Sequence, residues 1–286
     1  MSVQRSTAAS PAEFEGRVAV ITGGGRGIGR LLAVRFAALG ATVAVVARTL
    51  EDVQATARTA QEAGGRAAAF QADVSEPGEI ARVVERVADA YGRLDTLITA
   101  AGVYGPIGPV LEVDLDAWEE TIRINLLGTF YAIRAVLPVM VAQRSGKIIA
   151  LSGGGAVSPR PRFSAYASSK AAVVRLIETV AAEVEEYGID VNTMAPGPVP
   201  TRLHREVIRQ AAGAGETEVR KAREIMDGGP GQVERVVGLV RFLAGPQSDG
   251  LTGRLISAVW DEWDTFPERL ADIRRSELYT MRRVIQ

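Results

Sequence analysis

Tyr166 and Lys170 stand four residues apart, the spacing that puts two side chains on one face of a helix, a turn apart. A free phenol has a pKa of about 10 and is a poor base at neutral pH, whereas a neighbouring ammonium favours the phenolate. The pair can therefore move a proton, with Tyr166 as general acid/base and Lys170 as its tuner. Taken alone the spacing is common by chance. The stretch in front of it, ALSGGGAVSPRPRFSAY over 150–166, carries Ser152 and then glycine at 153, 154 and 155. A hydroxyl from this stretch would be a third polar partner. In a strand, a shift of one residue turns a side chain to the other face, but three glycines can bulge the strand end and re-aim Ser152. Ser152 is the first candidate for that partner, with Ser158 and Ser164 behind it. A backbone N–H or a water is the remaining alternative.

A second constellation is TGGGRGIG, Thr22 to Gly29, directly after an apolar run and at the start of a helical pattern. Glycines here let the backbone turn tightly and approach a pyrophosphate, whose charge then sits at a helix N-terminus. In this context Gly23, Gly25, Arg26, Gly27, Ile28 and Gly29 read as a dinucleotide-binding loop. The end of the second apolar run, where an acid would hold an NAD ribose, carries Ala47 and then Arg48. A guanidinium suits a 2′-phosphate, because its planar fork pairs two oxygens at once, and Arg26 can add a second positive charge. NADP(H) is the preferred cofactor. NAD(H) is the alternative, with Arg48 solvated and Glu51 or Asp52 reaching the ribose.

These residues need a scaffold, and the chain between 17 and 260 supplies one. Short apolar runs (RVAVITG, ATVAVVA, AAAFQADV, LDTLITAAG, GKIIALSG, GIDVNTMAPG, GRLISAV) alternate with helical spacing, the rhythm of βαβ units around a sheet buried on both faces. We expect an α/β fold, one doubly wound domain over 17–260, with a flexible tail at 1–16 and an extension at 261–286. Residues 198–232 break the rhythm and read as a lid. The net charge of −1 offers no field for nucleic acid. Without cysteine and with a single histidine, His204, thiolate and histidine-based metal sites are not expected. No run of about 18 apolar residues reads as a membrane span, and no secretory signal is read at the N-terminus. We expect a cytoplasmic protein with no membrane or nucleic-acid partner.

On these residues, from about Arg17 to Ala258, the sequence resembles the short-chain dehydrogenase/reductase family. The family's glycine motif appears as TGGGRGIG, its adenine-contacting Asp as Asp73 beside Val74, its active-site Asn as Asn125, and its Tyr and Lys as Tyr166 and Lys170. Its Pro-Gly segment appears as Pro196 and Gly197, followed by Val199 and by Thr201, placed to touch the nicotinamide carboxamide. The resemblance implies a Rossmann-like fold with a seven-stranded parallel sheet flanked by helices. It also implies that Tyr166 exchanges a proton with the oxygen of a ketone or alcohol while hydride passes to or from nicotinamide. Lys170 would bind the nicotinamide ribose, and Asn125 would help hold a water in a proton relay. Two positions depart from the family. Its Asn-Asn-Ala-Gly appears as Thr99-Ala100-Ala101-Gly102, which keeps the tight backbone beside the cofactor, and its catalytic Ser position falls on Gly153.

The lid is only slightly basic, which fits a solvated helix better than an anion pocket. Trp260, Trp263 and Phe266 either line the substrate site or anchor the extension, and PERLADIRRSELYTMRRVIQ has the spacing of an amphipathic helix. Paired acids such as Glu119 with Glu120, or Glu185 with Glu186, read as solvated faces. The expected partner is a small carbonyl or alcohol, and by analogy the chain forms a homodimer or homotetramer. A cofactor-binding sensor or scaffold, or an epimerase or enone reductase on the same fold, are the alternatives to ketone reduction.

Overall fold

The computed structural model describes residues 13–228 and 231–283. Seven parallel strands form one sheet: β1 (Val18–Thr22), β2 (Thr42–Ala47), β3 (Arg66–Gln71), β4 (Thr96–Thr99), β5 (Gly146–Leu151), β6 (Ile189–Ala195) and β7 (Leu255–Ser257). Their order is β3-β2-β1-β4-β5-β6-β7. The central strands are buried end to end, VAVIT in β1 and GKIIAL in β5, because helices cover both faces and leave no solvent side to demand polar alternation. One face carries α1 (Gly27–Ala38), α2 (Leu50–Glu62) and α10 (Gly231–Ala244). The other carries α3 (Pro77–Tyr91), α5 (Gly128–Gln143) and α6 (Ser164–Val184). The chain reverses direction across the sheet between β1 and β4, which opens a crevice at the carboxyl ends of the strands.

Helix α4 (Leu115–Ile122) starts at Asp114, whose carboxylate accepts from the Ala117 N–H at 2.7 Å, and runs through a π-turn at Arg123–Leu127 into α5. By length and average composition this continuous Leu115–Gln143 helix is apolar enough to cross a membrane, although Arg123 and Arg134 interrupt it and leave no unbroken run of about 18 apolar residues. Here Ile124, Ala132, Ile133, Val136 and Met140 pack it into the core under the sheet. The lid comprises α7 (Arg202–Arg209), α8 (Ala211–Ala214) and α9 (Glu216–Asp227).

Both ends differ from the sequence reading. Phe14, assigned to the flexible tail, is buried and stacks on Phe36 of α1 with ring centroids 5.1 Å apart. The domain therefore includes residues 13–16, while 1–12 lie outside the described residues. At the other end a 3-10 turn at Trp263–Thr265 leads into α11 (Phe266–Arg274), where the helix read from the sequence stops. The chain then turns, and Val284 lies outside the described residues. Phe266 and Trp263 anchor this segment against Phe242, whereas Trp260 is exposed. The segment also covers the outer edge of β7. The Leu255 N–H donates to the Tyr279 carbonyl at 2.7 Å, and the Ser257 N–H to the Asp261 carboxylate at 2.6 Å. The Arg254 guanidinium donates to the carbonyls of Arg274, Ser276 and Leu278.

Candidate active site

A cavity of about 560 Å³ opens at the carboxyl ends of the strands. Its floor is the glycine loop. A Cβ at Gly23 would stand 2.5 Å from the Ala101 nitrogen and one at Gly29 2.3 Å from the Gly23 carbonyl, so only glycine lets loop, β4 end and helix close up. Helix α1 starts at Gly27 with no side-chain cap and no acid in its first turn. Its first N–H groups are thus left for an anion. Gly23, Gly25, Arg26, Gly27 and Ile28 line the cavity, and Ala101 and Gly102 in the turn after β4 line it with them.

At one end lie Arg26, Arg48 and Asp52. Arg26 is paired with Asp52 at 2.6 Å. Arg48 is more than half exposed, with Nη1 3.7 Å from Asp73 Oδ2. Asp73 accepts from the N–H and hydroxyl of Ser75 at 2.9 and 2.7 Å and borders a separate groove with Arg48 and Arg82. Its neighbours Ala72 and Val74 line the main cavity.

At the other end are the residues read from the sequence as proton-transfer groups. Asn125 sits in the π-turn and is fully buried. Its Oδ1 accepts from the Val103 N–H, and its Nδ2 donates to the Val103 carbonyl and Ser169 Oγ, each at 2.9 Å. The side chain is thus spent on locking the turn after β4 to α6. Lys170 donates from Nζ to the Leu151 carbonyl at 2.8 Å and lies 5.9 Å from the centre of the Tyr166 ring. Burial brings its pKa down to about 8. For Tyr166 the sequence reading had Lys170 drawing the phenol downward. In the structure burial pushes it up, Tyr104 pushes it further, and Arg160 is the cation that opposes them.

The strand end in front of Tyr166 is occupied by Gly153. A Cβ there would stand 2.0 Å from the Tyr166 hydroxyl and 2.9 Å from its Cζ, so the phenol fills the space of the absent side chain. Ser152 stays in the β5–β6 ladder through its N–H to the Met194 carbonyl at 2.8 Å. It is buried and lines the cavity, and its Oγ has no hydrogen-bond partner. The glycine run therefore does not turn Ser152 into a bond with Tyr166. Ser158 is exposed, and Ser164 accepts from Trp118 Nε1 at 3.2 Å.

Over Tyr166 lies Tyr104, with ring centroids 4.6 Å apart and planes at 77°. The Arg160 guanidinium sits 3.9 Å from the Phe163 ring, 5.0 Å from Tyr104 and 6.0 Å from Tyr166, and is held by Glu218 of α9 at 2.8 Å. Thr201 and Pro196 line the cavity. Gly197 packs against Val259, and Val199 is buried in the core. The Thr201 hydroxyl is 3.3 Å from Nδ1 of His204, whose ring lies edge-on to Tyr104 at 6.5 Å.

The sequence model of the short chain dehydrogenase family matches residues 17–212. The chain belongs to this family. Among short-chain dehydrogenases it is similar to the 3-oxoacyl-[acyl-carrier-protein] reductase of Thermotoga maritima, 32% identical over 85% of this chain and 96% of that one. The NADPH-dependent aldehyde reductase-like protein of Arabidopsis thaliana is 30% identical over 90% and 97%. Levodione reductase superposes with a TM-score of 0.78 at 28% identity over 85% and 96%. NAD+-bound xylitol dehydrogenase gives 0.79 at 28% over 86% and 98%. As a short-chain dehydrogenase the protein is an oxidoreductase that binds NAD(P)(H). The cradle that a Cβ would fill at Gly23 and Gly29 and the uncapped start of α1 fit such a dinucleotide. Sequence reasoning missed Tyr104 and Arg160. Tyr104 follows the Gly102 turn by two residues, and Arg160 lies between two prolines, but only the packing of the lid brings them to Tyr166.

Proposed function

We propose that this short-chain dehydrogenase interconverts a small ketone and a secondary alcohol, with NADP(H) preferred to NAD(H). The observation that carries the reading is the buried Tyr166 phenol beside Lys170 at the inner end of a cavity that begins at a glycine-lined helix N-terminus. The glycine loop and the start of α1 would hold the pyrophosphate, and Lys170 the nicotinamide ribose. When bound, the nicotinamide supplies or accepts a hydride. Tyr166, protonated at neutral pH by its burial, gives its proton to the carbonyl oxygen in reduction and takes the hydroxyl proton in oxidation. Asn125, bonded to Val103 and Ser169, fixes the backbone between β4 and the helices that carry these groups. The preference for NADP(H) rests on Ala47 and Arg48 at the end of β2 and on Asp52 being paired with Arg26 rather than free for a ribose.

Titration of NADPH and NADH against the purified protein tests the cofactor, and NADH binding as tightly as NADPH would remove the role given to Arg48. A screen of ketones and secondary alcohols by nicotinamide absorbance tests the reaction. Tyr166→Phe is expected to abolish turnover, and parental activity in that variant would overturn the mechanism.

A further inference from the structure

The reduction just described builds negative charge on the substrate oxygen, which Tyr166 meets with one proton. Position 153 supplies no second donor, because the phenol already occupies the space of its side chain. Ser158 is exposed and Ser164 is engaged by Trp118, while Ser152, though its hydroxyl is unpartnered in the cavity, is held in the strand ladder without a bond to Tyr166. We propose that Tyr104 is the second hydrogen-bond donor to the reacting oxygen, a catalytic residue in the place of the hydroxyl that position 153 lacks, with Arg160 as the residue that positions it. The inference rests on the ketone–alcohol reading.

Tyr104 lines the same cavity as Tyr166, Ser152 and Lys170 and is itself buried. Its ring is wedged edge-on between Tyr166 at 4.6 Å and Phe163 at 5.4 Å, so it has little rotational freedom to lose when a substrate arrives. A phenolic O–H is a hydrogen-bond donor. Arg160 fixes the assembly from the outer side: its guanidinium lies over Phe163 and beside Tyr104, and Glu218 of the lid holds it. The charged and titratable groups around the two phenols are then Arg160 and Glu218 outside, Lys170 below and His204 on the lid. In reduction the C=O π pair moves onto oxygen as hydride bonds to carbon. Tyr166 gives up its proton to that oxygen, and Tyr104 keeps its own, sharing the charge through a hydrogen bond only.

Two readouts on the full-length, NADP⁺- or NADPH-loaded protein test this. In ketone reduction Tyr104→Phe is expected to lower kcat by about 10²–10³-fold, as for the loss of one donor to an oxyanion, with KM little changed. The second readout needs no turnover: 4-nitrophenolate, an oxyanion whose absorbance responds to donated hydrogen bonds, is expected to bind about ten- to a hundredfold more weakly to Tyr104→Phe. Arg160→Gln should weaken the probe as well, and Arg160→Lys should recover part of the loss. Parental kcat and parental probe affinity in Tyr104→Phe would overturn the inference while leaving the ketone–alcohol reading intact, and a loss confined to Ser152→Ala would hand the donor role to Ser152. A parent protein that reduces no ketone yet binds the probe in a Tyr104-dependent way would retire that reading and keep the second donor.

Discussion

Gly153 and the Tyr166 phenol share one volume, and this reverses what a family comparison suggests for the site. Gly153→Ser restores the family's residue type, yet its Cβ would lie 2.0 Å from the phenol oxygen. Tyr166 cannot yield freely, since Tyr104 packs on its ring. We expect Gly153→Ser to lower kcat by about a hundredfold through misplacement of the proposed acid, Tyr166, measured in the ketone assay beside the parent. Lys170 gives a second residue-level prediction, for stability. Its folded pKa is about 8 against 10.5 for the free group, so between these values the unfolded chain binds more protons and stability rises with pH. Tyr166, whose pKa is raised, works the other way above its ordinary 10.0, because the folded chain then holds the extra proton. Chemical denaturation of the cofactor-free protein should therefore show a gain from about pH 8 to 10 that Lys170→Met removes.

At the scale of elements, the sheet is held at its amino-terminal end by polar groups. Lys147 of β5 lies opposite Asp190 of β6 in register, with Nζ 2.5 Å from that carboxylate and 2.7 Å from Asp249. Lys147→Met would leave Asp190 buried and unpaired and is expected to cost about 3–5 kcal/mol, read as a lower denaturation midpoint. The central strands were legible in the sequence because burial on both faces makes them largely apolar runs, and α3 was delimited by Pro77 at its start and Gly92 in a left-handed conformation at its end. The glycine loop, Tyr166 and Lys170 were legible by spacing. The π-turn under Asn125 was not, since one extra residue in a turn leaves the apolar period almost unchanged. Tyr104 and Arg160 escaped for another reason: they are 56 residues apart in the chain and meet only where the lid, through Glu218, closes on the loop after β5. Phe14 was hidden by its polar surroundings in sequence, which look like a tail until Phe36 is seen across from it.

For the whole molecule, the segment after β7 is part of the structure. Arg254 spends its guanidinium on carbonyls from Arg274 to Leu278, and Met281 and Arg282 reach Glu178 on α6. Deleting residues 276–286 should cost about 3 kcal/mol through the lost bonds to buried partners and lower Tm by roughly 5–10 °C, measured by thermal unfolding, with light scattering to follow association. Assembly is where this segment has its widest consequence. An open sheet edge is a template on which another copy can add strands without limit. Because the outward N–H groups of Leu255 and Ser257 are already taken by Tyr279 and Asp261, a second copy cannot lengthen the sheet through β7. Any oligomer of this chain on that side must meet side chain to side chain, the kind of contact that a symmetry axis can close, and fibre growth by strand addition there has no starting point.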